Sequence, residues 1–219
     1  AKETSDYIRS LHISKGVKIK ESTGLEKLKI ERNKVVSASF TDNSNINVDF
    51  VIVGIGITPN TKLAEDTNIT VNNGIFVNER CQTSISNIYA AGDCASFNYK
   101  NTLVRLESVG NAIDQATIVA QNILGKNATY LPKPWFWSDQ YDLKLQIAGL
   151  NTGYDNVVVR GDKSKNVSHW YFKGSELLAI DALNDPRAYM IGKRLIEANK
   201  SPSKEQVKDQ DFNLKALLK

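Results

Sequence analysis

The sequence predicts a mixed α/β region followed by a small α+β domain. Near the middle of the chain an apolar segment, a Gly-Asp turn and an amphipathic helix follow one another, which is the order of an α/β unit. Further on, short apolar segments alternate with turn residues at intervals of about ten, and a helix follows them. The 219 residues, 41% of them apolar, are enough to bury a core, and the length suggests two domains.

One helix and four strands are predicted in the first part. Tyr7 and Leu11 stand at helical spacing, and Gly16 ends the helix. The last strand finishes with residues 50–53, which are continuously apolar, as in a strand covered on both faces. The four strands, expected to form an antiparallel meander, are residues 17–20, 25–31, 35–41 and 46–53.

The pattern in the middle of the chain predicts a connection between two substructures, followed by the α/β unit. Two glycines and a proline within residues 54–60 mark the connection. A buried strand over residues 88–91 leads into Gly92, and a helix runs from Ser108 to its end at Gly125. The residues expected on the buried face of this helix are Ala112, Ala116, Val119, Ala120 and Ile123.

The last part reads as a separate α+β domain. Residues 127–134 are polar, carry two prolines and are interpreted as a linker. Strands are predicted at residues 144–150, 157–160, 169–172 and 177–182, and a helix at 187–198. The apolar residues expected to pack near the C-terminus are Phe212, Leu214, Leu217 and Leu218.

Composition argues against several classes of protein. Cys81 and Cys94 with only two histidines make a poor ligand set, so no metal site is predicted, and two lone cysteines favour reducing cytoplasm. The 28 basic and 24 acidic residues are interleaved, which argues against nucleic-acid binding. The sequence has no apolar run of about 18 residues and opens without signal-peptide features, so neither a membrane span nor a leader is expected.

The Gly92–Asp93 pair is the first candidate binding element. It follows an expected buried strand, and open α/β sheets bind ligands beyond the carboxyl ends of their strands. Gly92 allows close approach of the backbone, and the Asp93 carboxylate can accept hydrogen bonds from sugar or ribityl hydroxyls. Taken alone, however, a Gly-Asp pair is more often an ordinary turn.

The segment 105–111 leads into the amphipathic helix and is the second candidate. The free N–H groups and positive dipole end at a helix start favour an anionic or electron-rich ligand atom. The simpler interpretation is that Ser108 caps the helix while Arg105 and Glu107 are solvated.

The aromatic run in residues 134–140 is the third candidate. Trp135 and Phe136 are interpreted as core residues between two domains. Trp137 is assigned a binding role, because an indole at a domain boundary can stack on a planar heteroaromatic ligand.

Five segments together carry a family resemblance: residues 51–60, 73–84, 88–93, 105–109 and 134–140. In this order and spacing they resemble the second half of the FAD-dependent pyridine-nucleotide oxidoreductases, and within them the ferredoxin, rubredoxin and putidaredoxin reductases. The Gly-Asp motif is shared widely among flavoproteins, whereas the run Trp-Phe-Trp-Ser-Asp-Gln is much narrower. The resemblance implies a partial, Rossmann-like FAD/NAD(P)-binding region followed by an α+β C-terminal reductase domain. The implied parts are residues 1–54 (end of the NAD(P)-binding domain), 55–126 (part of the FAD-binding domain) and 127–219 (reductase domain).

The same resemblance implies the roles of individual residues. Asp93, with Gly92 before it, would hold the ribityl and pyrophosphate region of FAD. The Val109 N–H would face the pyrimidine edge of the isoalloxazine, and Trp137 would lie beside the flavin. No residue of this chain is assigned a catalytic role. Weaker candidates nearby are Glu107 and Gln140.

The implied activity of the intact protein is hydride transfer from NAD(P)H to FAD and single-electron transfer to an acidic ferredoxin or rubredoxin. The sequence has no Gly-x-Gly-x-x-Gly fingerprint, so we expect a fragment that is inactive alone and retains no FAD. The choice between NADH and NADPH stays open. Uncovered edges at residues 51–53 and 88–91 predict dimerisation, strand exchange or loose structure there.

Two alternatives remain at this stage. One is an apoptosis-inducing-factor-like or NADH-oxidase-like flavoprotein, which shares the Gly-Asp motif. The other is a non-catalytic module that docks an acidic protein through Arg187, Lys193 and Arg194, although a basic helix face is usually just solvated.

Overall fold

The computed structural model describes residues 1–162 and 166–218. It divides into two units, Ala1–Thr58 and Pro59–Lys219. The first unit contains helix α1 (Lys2–Ser14) and an antiparallel sheet of strands β1 (Leu25–Glu31), β2 (Lys34–Phe40) and β3 (Asn45–Asn47), in the order β1-β2-β3.

A tight hairpin joins β1 to β2. Arg32 and Asn33 both have positive φ, and Glu31 pairs with Lys34, so two residues connect the strands with the backbone twist that hairpins prefer. The predicted helix and the strands at residues 25–31 and 35–41 are confirmed.

Two strand predictions in this unit are wrong. Residues 17–20 form no strand, and the strand predicted over 46–53 is limited to Asn45–Asn47. Residues 50–53 are exposed, with Ile52 at 84%. A continuously apolar strand requires neighbouring strands and covered faces, and none of the strands in the described part of the chain pairs with this segment.

The second unit begins with helix α2 (Lys62–Glu65), strands β4 (Ile75–Phe76), β5 (Ala95–Tyr99) and β6 (Thr102–Val104), and helix α3 (Val109–Ile123). Strand β5 pairs with β4 in parallel and with β6 in an antiparallel hairpin. Sequence reasoning missed β5 and β6. The strand predicted at residues 88–91 is also wrong: the segment is half-buried and makes one isolated bridge, from Tyr89 to Gln82.

The C-terminal part of this unit is a five-stranded antiparallel sheet in the order β7-β8-β11-β10-β9. All four predicted strands and the predicted helix are confirmed, and β7 is an additional strand that was not predicted. The elements are β7 (Trp135–Gln140), β8 (Leu143–Gly149), β9 (Asn156–Asp162), β10 (Asn166–Lys173), β11 (Glu176–Leu183), α4 (Pro186–Glu197) and α5 (Lys204–Lys208).

Helix α4 closes the core of this sheet. Trp170, Ile180 and Leu195 are completely buried in one cluster, and the C-terminal residues predicted to pack contact the same cluster. Gly192 permits the close approach, because a Cβ there would lie 2.8 Å from Ile180 Cγ2. Among the described helices, none is both long and apolar enough to span a bilayer.

Candidate functional site

The Gly92–Asp93 turn is built into a 3₁₀ turn, Gly92–Cys94, that packs against α3. The Gly92 N–H donates to Gln115 Oε1 at 2.8 Å, and the residue has φ +80. A Cβ at Gly92 would meet the Ala112 Cβ at 3.4 Å, in a backbone conformation that side chains rarely adopt. The glycine therefore lets the turn lie directly on the helix.

The Asp93 main chain is fixed, while its carboxylate is left available. Its carbonyl oxygen accepts a hydrogen bond from Arg105 Nη1 at 3.0 Å. The residue is exposed, and its carboxylate has no hydrogen bond or ion pair within residues 1–162 and 166–218. An acceptor group on a rigid turn is thus open to a ligand.

Arg105 holds the turn through the Asp93 carbonyl, and the expectation that this arginine is solvated was wrong. Its side chain is only 9% exposed, and Nε donates to the Asn73 carbonyl at 3.0 Å. Nη1 also forms an ion pair with Glu107 at 2.7 Å. The arginine therefore links two loops and engages Glu107, which is itself half-exposed.

The start of α3 supplies free donors, as the sequence predicted. Ser108 is the N-cap: its Oγ accepts from the Asn111 N–H at 3.2 Å. Val109 occupies the first helical position and is 57% exposed. The first N–H groups of a helix have no intrahelical acceptor, and the dipole makes this end positive.

Trp135 connects the start of α3 to Trp137. A Cβ at Gly110 would lie 2.5 Å from Trp135 Nε1, so the indole rests directly on the first turn of the helix. Trp137 stacks on Trp135 with ring centroids 5.3 Å apart and an angle of 26°. The structure thus brings Trp137, 49% exposed, toward the helix start through Trp135.

The other aromatic and polar residues of this segment differ in their surroundings. Phe136 packs on the cluster around Phe97 and Leu106, so its core assignment is confirmed. Trp135 is half-buried and bridges α3 to Trp137, instead of serving only as core. Gln140 lies at the opposite end of β7, where its Nε2 donates to Ser138 Oγ at 2.9 Å.

Sequence reasoning missed a buried polar network under the site. Asn111 Nδ2 donates to the Leu106 carbonyl at 3.0 Å, and the Tyr130 hydroxyl donates to Asn111 Oδ1 at 2.6 Å. Asn111 Nδ2 also lies 3.3 Å from Gln115 Oε1. Burial raises the pKa of Tyr130, so the phenol stays protonated as the donor.

The network changes which face of α3 is buried. Asn111 and Gln115 are buried, whereas Ala116, Ala120 and Ile123, three of the residues expected inside, are exposed. The spacing of Asn111, Gln115, Ile118 and Asn122 carried this signal, but polar side chains in a helix are normally assigned to solvent.

The remaining candidate groups are placed as follows. Cys81 is fully buried, which raises its pKa to about 11, and Cys94 is half-buried; both are free thiols. Arg187 and Arg194 on α4 are exposed, while Lys193 forms an ion pair with Glu197. No cluster of three or more His, Cys, Asp or Glu suited to a metal occurs in the described part of the chain.

Two family models match the chain. The model described as pyridine nucleotide-disulphide oxidoreductase covers residues 1–116, and the model described as reductase C-terminal covers residues 135–218. The chain belongs to the pyridine nucleotide-disulphide oxidoreductase family. The predicted fold class and family are therefore confirmed.

Similar proteins narrow the branch of the family. Rhodocoxin reductase from Rhodococcus erythropolis is 40% identical over 217 residues, and putidaredoxin reductase from Pseudomonas putida is 36% identical over 224 residues. The matches cover 98% and 100% of this chain but 51% and 53% of the relatives. The chain therefore spans about half the length of these relatives.

Solved structures agree with the sequence comparisons. A ferredoxin reductase from Rhodopseudomonas palustris matches with a TM-score of 0.97 and 34% identity, over 100% of this chain and 55% of that chain. The covalent putidaredoxin reductase–putidaredoxin complex matches with a TM-score of 0.95 and 35% identity, over 100% of this chain and 54% of that chain.

Proposed function

We propose that this chain supplies one side of the FAD site of an NAD(P)H-dependent ferredoxin reductase. The observation that carries the proposal is the Gly92–Asp93 turn. Gln115 and Arg105 hold its main chain, while the Asp93 carboxylate has no partner among the described residues. An exposed carboxylate with this support fits the hydroxyl-rich ribityl and pyrophosphate region of FAD.

The α3 start fits the electron-rich edge of the same cofactor. The Val109 N–H stands at the positive end of the helix, where a hydrogen-bond acceptor with negative charge is favoured. The pyrimidine edge of the isoalloxazine is such an acceptor. Preorganised donors there would stabilise negative charge on the ring without reorganisation.

Trp137 completes the proposed contacts. Its indole is fixed by stacking on Trp135 yet half-exposed, so one surface remains open to a planar ring. Bound FAD would supply hydride acceptance from NAD(P)H and single-electron delivery to an acidic ferredoxin or rubredoxin. The chain's residues would bind and orient the cofactor.

We also propose a cytoplasmic location, because a chain with two cysteines and no disulfide between them is typical of a reducing compartment.

Asp93 provides the direct test. In the full-length protein that contains this chain, Asp93→Ala should weaken FAD affinity roughly 10- to 100-fold, because hydrogen bonds to a charged group are lost. Flavin fluorescence titration of the apoprotein measures the dissociation constant. Asp114→Ala, which removes an exposed carboxylate from α3, is the matched control. Unchanged affinity in Asp93→Ala, or an equal loss in the control, would contradict the assignment.

The chain by itself gives a second test. The sequence contains no Gly-x-Gly-x-x-Gly fingerprint, so residues 1–219 expressed alone should retain no FAD and should not reduce ferricyanide with NADH. A purified yellow protein with flavin absorbance would refute this expectation.

In the full-length protein, transfer of electrons to oxygen without a ferredoxin would favour the NADH-oxidase-like alternative.

A docking function for the C-terminal domain is the second candidate. Arg187 and Arg194 are exposed on α4, whereas the ion pair of Lys193 with Glu197 weakens its candidacy. Binding of an acidic ferredoxin should fall as salt rises from about 0.05 M to about 0.5 M, because screening shortens charge attraction. The double change Arg187→Glu/Arg194→Glu should abolish the salt dependence, while Lys126→Glu should not. Salt-independent binding would exclude this docking mode.

A further inference from the structure

The buried side chain of Gln115 is not used by any contact proposed above with FAD. Gln115 is 0% exposed within α3, and its Oε1 accepts from the Gly92 N–H at 2.8 Å. A backbone N–H can only donate, so the atom facing Gly92 must be the amide oxygen. The orientation of this amide is therefore fixed by the turn.

This orientation leaves a buried donor unused. Within the described residues Gln115 Nε2 has no hydrogen-bond partner, and a buried unmatched donor carries its full desolvation cost. An apolar residue would remove that cost but leave the Gly92 N–H unmatched. A glutamate would match the N–H but bury a charge. Glutamine is the side chain that presents a neutral oxygen here.

The same oxygen links the two halves of the candidate site. Asn111 Nδ2 lies 3.3 Å from Gln115 Oε1 and donates to the Leu106 carbonyl, which is in the segment that enters α3. Tyr130 fixes Asn111 from its other side. Two side chains one helical turn apart thus join the Gly92–Asp93 turn to the chain leading to Val109.

We infer that Gln115 is the positioning residue of the flavin site. Through Gly92 and Asn111 it sets the position of the Asp93 carboxylate relative to the Val109 N–H, so that one cofactor can meet both. This inference rests on the proposed function, because it names what aligns the two contacts proposed there.

The test uses two measurements on the same variants. Gln115→Met keeps the length of the side chain and removes the acceptor, whereas Gln115→Glu keeps an oxygen at that place. In the full-length protein, Gln115→Met should weaken FAD affinity about tenfold, the effect of one lost hydrogen bond. In the chain 1–219 without flavin, it should also speed hydrogen exchange of the Gly92 amide. Gln115→Glu keeps an acceptor for the Gly92 N–H, so Gly92 exchange should stay closer to that of the unchanged protein than in Gln115→Met, whatever the buried charge costs in FAD affinity.

Gln121→Met, the same change six residues further along α3, is the matched control and should alter neither quantity. The inference fails if Gly92 exchange is the same in Gln115→Met as in the unchanged protein, or if the control accelerates it equally. It also fails if Gly92 exchange accelerates while FAD affinity stays constant, since Gln115 is then merely structural. A full-length protein that binds no FAD sinks the proposed function itself, and the Gly92 amide still reports whether Gln115 holds the turn.

Discussion

The region 135–218 and the first unit, residues 1–58, differ in how far their apolar residues are buried. In the C-terminal sheet Ile180 and Trp170 are fully buried under α4. In the first unit Ile52 is 84% exposed and Ile55 is 91% exposed, although their segment is the most continuously apolar part of that unit. The number of apolar residues in a segment therefore does not decide whether they form a core.

Connectivity explains the difference. Strands β8 to β11 are antiparallel neighbours, and the helix that covers them follows directly in the chain, so the region buries its own apolar face. Residues 50–53 have the pattern of a strand enclosed on both faces, which depends on other strands beside it. A self-contained region should respond strongly to a core substitution, and an exposed segment should not.

Two matched isoleucines give the largest contrast. Ile180→Ala should lower the free energy of unfolding of the C-terminal region by about 3 kcal/mol, because it removes buried surface and leaves a cavity. Ile52→Ala should change stability by less than about 0.5 kcal/mol. Urea unfolding followed by far-UV circular dichroism, which reports on both units, measures both variants, and similar values for the two would break the comparison.

Arg160 tests how the C-terminal region is closed. Its guanidinium donates hydrogen bonds to backbone carbonyls between residues 206 and 212, in α5 and the segment that follows it. Because these bonds are lost, Arg160→Ala should lower the free energy of unfolding by about 2 to 3 kcal/mol. Arg187→Ala, an exposed arginine of the same region, should cost less than about 0.5 kcal/mol. The accepting carbonyls belong to Gln206, Val207, Asp209, Gln210 and Phe212. If thermal melts of the two variants coincide, the hydrogen bonds from Arg160 contribute nothing measurable to stability.

Self-association tests the exposed segment. Contiguous exposed apolar residues promote contact between copies, so residues 1–219 should show a mean mass above 24.3 kDa by light scattering. Ile52→Lys/Ile55→Lys should reduce that mass, whereas Leu63→Lys, at an isolated exposed site, should not. A monodisperse monomer for the unchanged chain would count against the dimer prediction.

Thiol reactivity gives the smallest effect. The pKa of Cys81, raised to about 11 by burial, leaves little thiolate near neutral pH, so a disulfide reagent should modify Cys94 first. Cys94→Ser should remove the fast phase, and Cys81→Ser should not. Equal labelling rates would show that Cys81 is accessible.

The raised pKa of Cys81 also makes stability depend on pH. Between pH 9 and pH 11 unfolded Cys81 loses its proton while folded Cys81 keeps it, so the contribution of Cys81 to stability falls as pH rises.

Much of the fold was predictable where local rules suffice. The C-terminal strands follow from short apolar segments separated by turn residues, and Ser108 and Gly125 mark the ends of α3. Strand β7 was missed because Trp135, Phe136 and Trp137 are all apolar and hide its alternation, although Phe136 points away from the two tryptophans. The hairpin of β5 and β6 was missed because its turn, Lys100–Asn101, contains no glycine.

The candidate site likewise contains residues that motifs predict and supporting residues that they do not. Gly92, Asp93, Val109 and Trp137 were chosen from motifs, and their roles toward a flavin stay predictions. The residues that support them are not part of these motifs: Arg105 was wrongly expected in solvent, and Gln115 is a polar residue in a helix, a kind normally assigned to solvent. A buried arginine or glutamine is recognised only when its partners are known, and those partners lie far away in the sequence.

The sequence by itself determined the family, four of the C-terminal strands and the helix capped by Ser108, because these depend on neighbouring residues and on motif spacing. The tertiary structure decided which face of α3 is buried, how Trp137 is held near the helix start, and that residues 50–53 are uncovered. These outcomes depend on which distant groups come into contact, since burial and hydrogen bonding are properties of pairs of segments.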